Sequence, residues 1–306
     1  MRAALAQTAS VAVLVFAVSS MLSVGLSYSL RSIIAPLAEA RAVFRVLVAN
    51  FVLVPLLAVG IERVIPIDPP LALGLFLVAG AAGAPFLIKL AKAARSDLAL
   101  SAALLVLLVP ATVVFLPFYV PLAMAHPSMR GLTYVRGSTM ALGVPLLSTM
   151  ILPVVVGLIV KALAPRWAAR LVPLLGPLTT VALVVIVVAT FLANLQEVLR
   201  ILKTGAIAAA VLLSIGSFAV GYLLSRHERR MVLGFGTSQR NIAAAMVVAS
   251  QSFIDPDILV MVTVSSLVGL LLLFPVAWIV SRRAPSVGPP TVPSRPSFSS
   301  GTPEPA

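Results

Sequence analysis

Long apolar runs, separated by short polar or basic segments, alternate along the chain from its first turns to about residue 283. A helix rises about 1.5 Å per residue and needs roughly 20 residues to cross the hydrocarbon layer of a bilayer. On that ruler nine helices are predicted, at about 9–30, 43–64, 71–94, 98–124, 138–160, 170–193, 202–225, 231–251 and 257–280. The first run, Val11 to Leu30, follows Arg2 as a signal peptide would. It is too long for a simple signal core and leads directly into further spans, so it reads as a retained helix. The narrowest division is Ala94, Arg95, Ser96 and Asp97, which reads as the tight turn of a two-span hairpin.

Composition strengthens this picture. Hydrophobic residues make up 60% of the 306 residues and charged ones 10%, against about 25% charged in a soluble globular protein. So few charges cannot cover a soluble fold of this size, and lipid must be the solvent for most of the surface. The net charge of +13 does not imply a nucleic-acid partner, because the basic residues fall in short groups between the apolar runs. With the N-terminus outside, fifteen lysines and arginines fall in cytoplasmic segments and six in external ones. That bias predicts an inner-membrane, multi-pass protein with its N-terminus outside and its C-terminus in the cytoplasm. Cysteine is absent and histidine occurs twice, which excludes disulfides and argues against a structural zinc site. Residues 284–306 carry seven prolines without a hydrophobic period and read as a disordered cytoplasmic tail.

Two of the predicted spans are interrupted at corresponding places. The third contains Gly80, Gly83 and Pro85; the eighth contains Gly234 and Gly236, followed by the polar string Thr237, Ser238, Gln239, Arg240 and Asn241. Five consecutive polar positions point nearly all round a regular helix, so some would face lipid, at roughly 2.5–3.5 kcal/mol for an arginine near the centre. A break in the protein interior avoids that cost. The spans form two blocks of four, about 9–124 and 170–280, joined by a linking span at 138–160 and offset by an odd number of crossings. The blocks therefore predict inverted repeats with two discontinuous crossing helices, an arrangement that places sites where the breaks meet. The competing reading makes these glycines close-packing notches between helices.

The opening VFAVSSMLSVGLSYSLRSI, the segment ANFVLVPLLA, the stretch GAAGAPFLIKLAKAARSDLALSAAL and, most strongly, GTSQRNIAAAMVVASQSFIDPDI resemble the bile acid:sodium symporter family. The resemblance covers most of residues 10–281. It implies an all-α membrane fold in its nine-span form, with core and panel subdomains, and a secondary transporter of a small organic anion. It also implies an ion-binding polar residue at Asn50, polar ligands in the first crossing helix, and an acidic residue before a Gln-Asn pair in the second.

Several of those positions differ. Pro85 and Phe86 stand where the polar pair would be, Gly236 at the acidic position, and Arg240 at the Gln. Sodium is a hard cation that oxygen ligands hold, usually beside a carboxylate, whereas a guanidinium keeps its charge at all working pH values. The expectation is therefore alternating-access transport of a small organic anion without conventional sodium coupling and without a bound metal or cofactor. Arg240, Asn241, Gln239, Thr237, Asn50, Pro85 and Lys89 are the expected substrate-contacting residues. A sodium-dependent symporter of the same family, or a membrane protein that binds without transporting, are the alternatives. An enzyme is not expected, because no cluster of carboxylates or histidines, and no Ser/Lys arrangement, is visible. The bilayer and a small anion are the implied partners, no nucleic acid is expected, and the sequence specifies no oligomeric state.

Overall fold

The structure is a computed structural model, and it describes residues 2–29, 39–133, 139–193 and 204–283. The Pro-rich stretch 284–306 lies outside the described residues. What is described is all-helical: α1 (Arg2–Ser27), α2 (Ala40–Val64), α3 (Pro69–Gly80), α4 (Phe86–Ala93), α5 (Leu98–Met124), α6 (139–163), α7 (Pro165–Ala193), α8 (Ala206–Leu223), α9 (Arg230–Ser238), α10 (Ile242–Ser252) and α11 (Pro256–Arg283). Among the described residues, seven helices are long and apolar enough to cross a membrane, namely those in α1, α2, α5, α6, α7, α8 and α11. The third and eighth apolar runs are instead each divided into two short helices, α3–α4 and α9–α10.

The turns follow local chemistry. Between α4 and α5, Arg95 takes a left-handed conformation with φ of 51°, and the Asp97 side chain accepts a hydrogen bond from the Leu100 N–H at 2.9 Å. An aspartate in that place satisfies one of the free amides at a helix start, which divides the hairpin at 94–97. Two long helices contain a π-helical turn, Ala49–Leu53 in α2 and Leu147–Ile151 in α6. Each turn ends two residues before a proline, Pro55 or Pro153. A proline lacks the N–H its preceding turn needs, and a wider turn is one way the helix absorbs the defect.

Burial separates the interrupted helices from the rest. Every residue from Leu71 to Gly80 in α3 is buried, and so are nine of the eleven residues of α10. A helix that is apolar all round belongs at the centre of the molecule. The continuous helices instead present exposed Val114, Phe118 and Leu122 of α5, or Leu174 and Val181 of α7, the apolar outer surface expected against lipid. Around the centre, α3 packs on α11, α8 on α9, and α2 on α8, while α1, α6 and α7 pack on one another as a second layer.

The second layer is held at very short range by two glycines. A Cβ on Gly25 of α1 would lie 2.3 Å from the Val154 carbonyl oxygen of α6, and one on Gly157 would lie 2.7 Å from the Leu22 oxygen. Both obstacles are backbone, so the helices themselves would have to separate. Gly25→Ala is expected to destabilise the protein by about 3 kcal/mol, read as a lower melting temperature in detergent. Gly60→Ala, where nothing lies within 4 Å, is the control and should leave the melting temperature nearly unchanged.

Candidate functional site

The two interruptions meet. The first spans Ala81 to Pro85, and the second Gln239 to Asn241. The Asn241 N–H donates to the Ala81 carbonyl at 2.8 Å, joining the chains where neither is helical. The Ala82 peptide is satisfied from α5: the Thr112 hydroxyl donates to the Ala82 oxygen at 2.9 Å, and the Ala82 N–H lies 3.0 Å from the same hydroxyl. Buried backbone groups freed by a broken helix must find partners, and one threonine supplies both here.

Gly83 has φ of +82°, and a Cβ there would lie 2.9 Å from the Val109 N atom of α5. An L side chain in this conformation costs about 1–2 kcal/mol before any collision. Gly83→Ala should therefore lower stability by about 2 kcal/mol or more, measured by thermal unfolding. Pro85 immediately precedes α4, at its N-cap position, without a side-chain hydrogen bond to the helix. Gly80 is the last residue of α3, and its missing Cβ makes room for the Tyr119 ring, which would lie 2.5 Å away.

The second break corrects the sequence expectation. Gly234 and Gly236 are inside α9, not at the interruption, which falls three residues beyond Gly236. Their role is close packing: a Cβ on Gly234 would meet Phe218, and one on Gly236 would meet Leu104 at 3.0 Å.

Arg240 is 6% exposed and sits at the junction. Its Nε donates to the Val78 carbonyl at 3.1 Å, and Nη1 donates to Asn50 Oδ1 at 2.7 Å and to the Thr237 carbonyl at 3.0 Å. Nη2 donates to the Asn50 carbonyl at 3.4 Å and to the Ala79 carbonyl. All five N–H groups of the guanidinium are thereby used. Val78 and Ala79 lie in the last turn of α3 and Thr237 in the last turn of α9, where carbonyls lose their regular i+4 partners; the Val78 oxygen also accepts from the Ala81 N–H at 3.2 Å. The Asn50 oxygen is free for a related reason: in a π turn it needs the N–H of residue 55, and Pro55 has none. Two helix C-terminal ends each carry roughly half a negative charge, and one guanidinium balances both. Asn50, fully buried, also donates through Nδ2 to Val46 and to the Thr237 hydroxyl.

The other expected site residues divide between two further places. Asn241 caps α10, its side-chain oxygen accepting from the Ala244 N–H at 3.1 Å. Gln239 lines a small pocket together with Arg240 itself, Ser214, Ser238 and Ser265. Pro85 and Lys89 line a separate open cleft, about 550 Å³ counted with the solvent at its mouth, between α4 on one side and α1 and α7 on the other. No hydrogen bond joins Lys89 to Arg240 among the described residues. Lys89 Nζ donates to the Thr180 hydroxyl of α7 at 3.0 Å and lies 4.7 Å from the Phe86 ring centre. It thus reaches across the cleft and not towards the ends of the helices.

The cleft also contains polar residues that the sequence reading did not single out. Ser20, Ser23 and Ser27 of α1, with Tyr28 and Thr179, form its far wall. The spacing of the three serines, three and then four residues, places them on one helix face, and that signal was available in the chain. Tyr28 follows the end of α1, and burial pushes its phenol above the ordinary value, so it stays a neutral hydrogen-bonding group. Thr112 was hidden for the opposite reason, as a single hydroxyl with apolar neighbours on both sides in a mostly apolar helix.

Residues 13–201 match the model of the Sodium Bile acid symporter family, well over half of the chain. The chain belongs to that family. Comparison with individual curated proteins gives no match. Membership of the sodium bile acid symporter family makes this a multi-pass membrane protein of a transporter family, in agreement with the expectation that it is not an enzyme. The matched residues contain Asn50, the first break and Lys89, while Arg240 and the second break lie beyond them. At the junction of this family member, five oxygens converge on one guanidinium. Among the described residues no group of three acidic or histidine side chains could hold a metal ion.

Proposed function

We propose that the protein is a secondary transporter that moves a small organic anion by alternating access, with Arg240 standing permanently in the place of a coupling cation. The observation that carries this reading is the set of oxygens around the guanidinium. They come from the C-terminal ends of α3 and α9 and from the proline-relaxed turn of α2. A sodium ion would need that oxygen set, and the guanidinium already holds it.

On this reading the chain crosses the membrane nine times, α3–α4 and α9–α10 each counting as one discontinuous crossing. Residues 1–283 form the transporter domain, with its N-terminus outside and C-terminus cytoplasmic. The two blocks are inverted repeats whose broken helices form the core, while α1, α6 and α7 make the panel. Substrate binds in the cleft between the two, against the α4 start, Lys89 and the serines of α1. A helix N-terminus and a nearby ammonium both favour a carboxylate or similar anion, and Phe86 offers an apolar surface beside them. Asn50, Thr237, Gln239 and Asn241 then support the crossing from which the substrate is presented. The panel rocks against the core to open the cleft to one side and then the other.

The sodium-coupled symporter is the second reading, supported by the family to which the chain belongs. Both readings require transport, which uptake of a panel of radiolabelled carboxylates into proteoliposomes will test. Uptake above that of protein-free vesicles is the expected result. A folded protein that neither takes up nor binds any of them would make it a structural member of the family.

A further inference from the structure

A second cavity lies away from the cleft and the crossing, between the start of α2, the α5 start and the turn joining α8 to α9. Counted with the open solvent at its mouth, it encloses about 540 Å³. Its rim carries Arg45, Arg226 and Arg229 with Glu39, and its wall is apolar, formed by Val46, Leu100, Leu104 and Leu233 among others. Arg229 Nη1 lies 2.8 Å and Arg226 Nη1 3.4 Å from the Glu39 carboxylate. Two guanidiniums therefore share one carboxylate while Arg45 lines the same cavity, and among the described side chains an excess of positive charge remains there. Arg45 is exposed, and so is the neighbouring Phe44, at 67%.

We infer that this cavity is a binding site for an acidic phospholipid. The phosphodiester headgroup would sit among Arg45, Arg226 and Arg229, and an acyl chain would lie along the leucines of α5 and α9. Two features select a lipid over a soluble anion. The charges lie at helix ends, where α2 begins and where α8 gives way to α9, the level at which a bilayer places its headgroups. The cavity then continues into apolar side chains that a free phosphate would leave wet. Guanidinium suits this role because its planar donors match phosphate oxygens in pairs, and basic pockets between membrane helices favour acidic headgroups. The site also has a mechanical connection. Arg45 lies on the same helix as Asn50, whose side chain and carbonyl hold Arg240, so an occupied site would steady the α2 segment that carries them.

The test uses the full chain in nanodiscs of phosphatidylcholine with increasing phosphatidylglycerol, followed by thermal unfolding. Phosphatidylglycerol should raise the melting temperature in a saturable manner. In Arg45→Gln/Arg226→Gln its apparent affinity should fall about 25-fold, each of the two cations contributing about fivefold. Lys92→Gln/Arg95→Gln removes the same charge from exposed positions outside the cavity and should leave the affinity unchanged. An equal loss in both double variants would mean only diffuse surface attraction and would overturn the proposal. Inorganic phosphate added to the protein in detergent separates the other source: if it reproduces the stabilisation, the site takes a soluble anion and the lipid assignment fails. Because unfolding of each variant is read first in pure phosphatidylcholine, a folding defect is distinguished from a lost site. Neither outcome depends on whether the protein transports.

Discussion

Arg240→Ala is expected to abolish transport and to destabilise the folded protein by about 3 kcal/mol or more. The guanidinium satisfies carbonyls at the ends of α3 and α9 and in the π turn of α2, all of them buried. Each buried acceptor left without a partner costs about 1–3 kcal/mol, and the α3 and α9 ends would then repel one another across the crossing. Arg240→Lys keeps the charge but has three donors for five oxygens, so it should be intermediate in both stability and uptake. The diagnostic result is rescue. Free guanidinium, and more weakly sodium, should raise the melting temperature of Arg240→Ala while leaving the wild-type protein unaffected. Thermal unfolding of both proteins across a guanidinium titration at fixed ionic strength, at concentrations well below those that denature, would show it. Equal behaviour of the two proteins would mean that the oxygen set holds no cation of its own.

Lys89→Ala should have the second-largest effect, on transport alone. The side chain is exposed within the cleft and reaches Thr180 across it, so its loss leaves no buried group without a partner. Folding stability should change by less than about 1 kcal/mol. Anion uptake should fall by about tenfold or more, equivalent to about 1.4 kcal/mol of lost interaction with the anion. Lys92→Ala, at an exposed position outside the cleft, should retain wild-type uptake. A pair of initial-rate measurements with matched melting curves distinguishes a lost substrate contact from a lost fold.

The seven long apolar helices and the two interruptions could be read from the chain because lipid imposes a simple rule, apolar residues for about twenty positions or a reason to depart from it. The breaks were harder to place. Glycine relaxes a helix and also lets helices approach, and Gly234 and Gly236 do the second. The interruption instead falls at Gln239 to Asn241, within the polar string that first signalled it. The expected site was a single one; the structure divides it between the crossing, where Asn50, Thr237, Arg240 and Asn241 meet, and the cleft, where Pro85 and Lys89 lie. That division could not be read from side-chain types, because four of the five acceptors around Arg240 are backbone carbonyls. Backbone acceptors carry no sequence signature except indirectly, as in the missing N–H of Pro55. The cleft's serines at 20, 23 and 27 were visible in their spacing, yet serine is common enough in membrane helices that the pattern acquires meaning only once α4 is seen opposite.

The most direct measurement is the initial rate of organic-anion uptake into proteoliposomes as external sodium is replaced by N-methylglucamine. With Arg240 serving as the resident cation, the rate should be unchanged from sodium-free buffer to sodium at a hundred millimolar or so. A rate that rises steeply with sodium and vanishes without it would contradict that assignment.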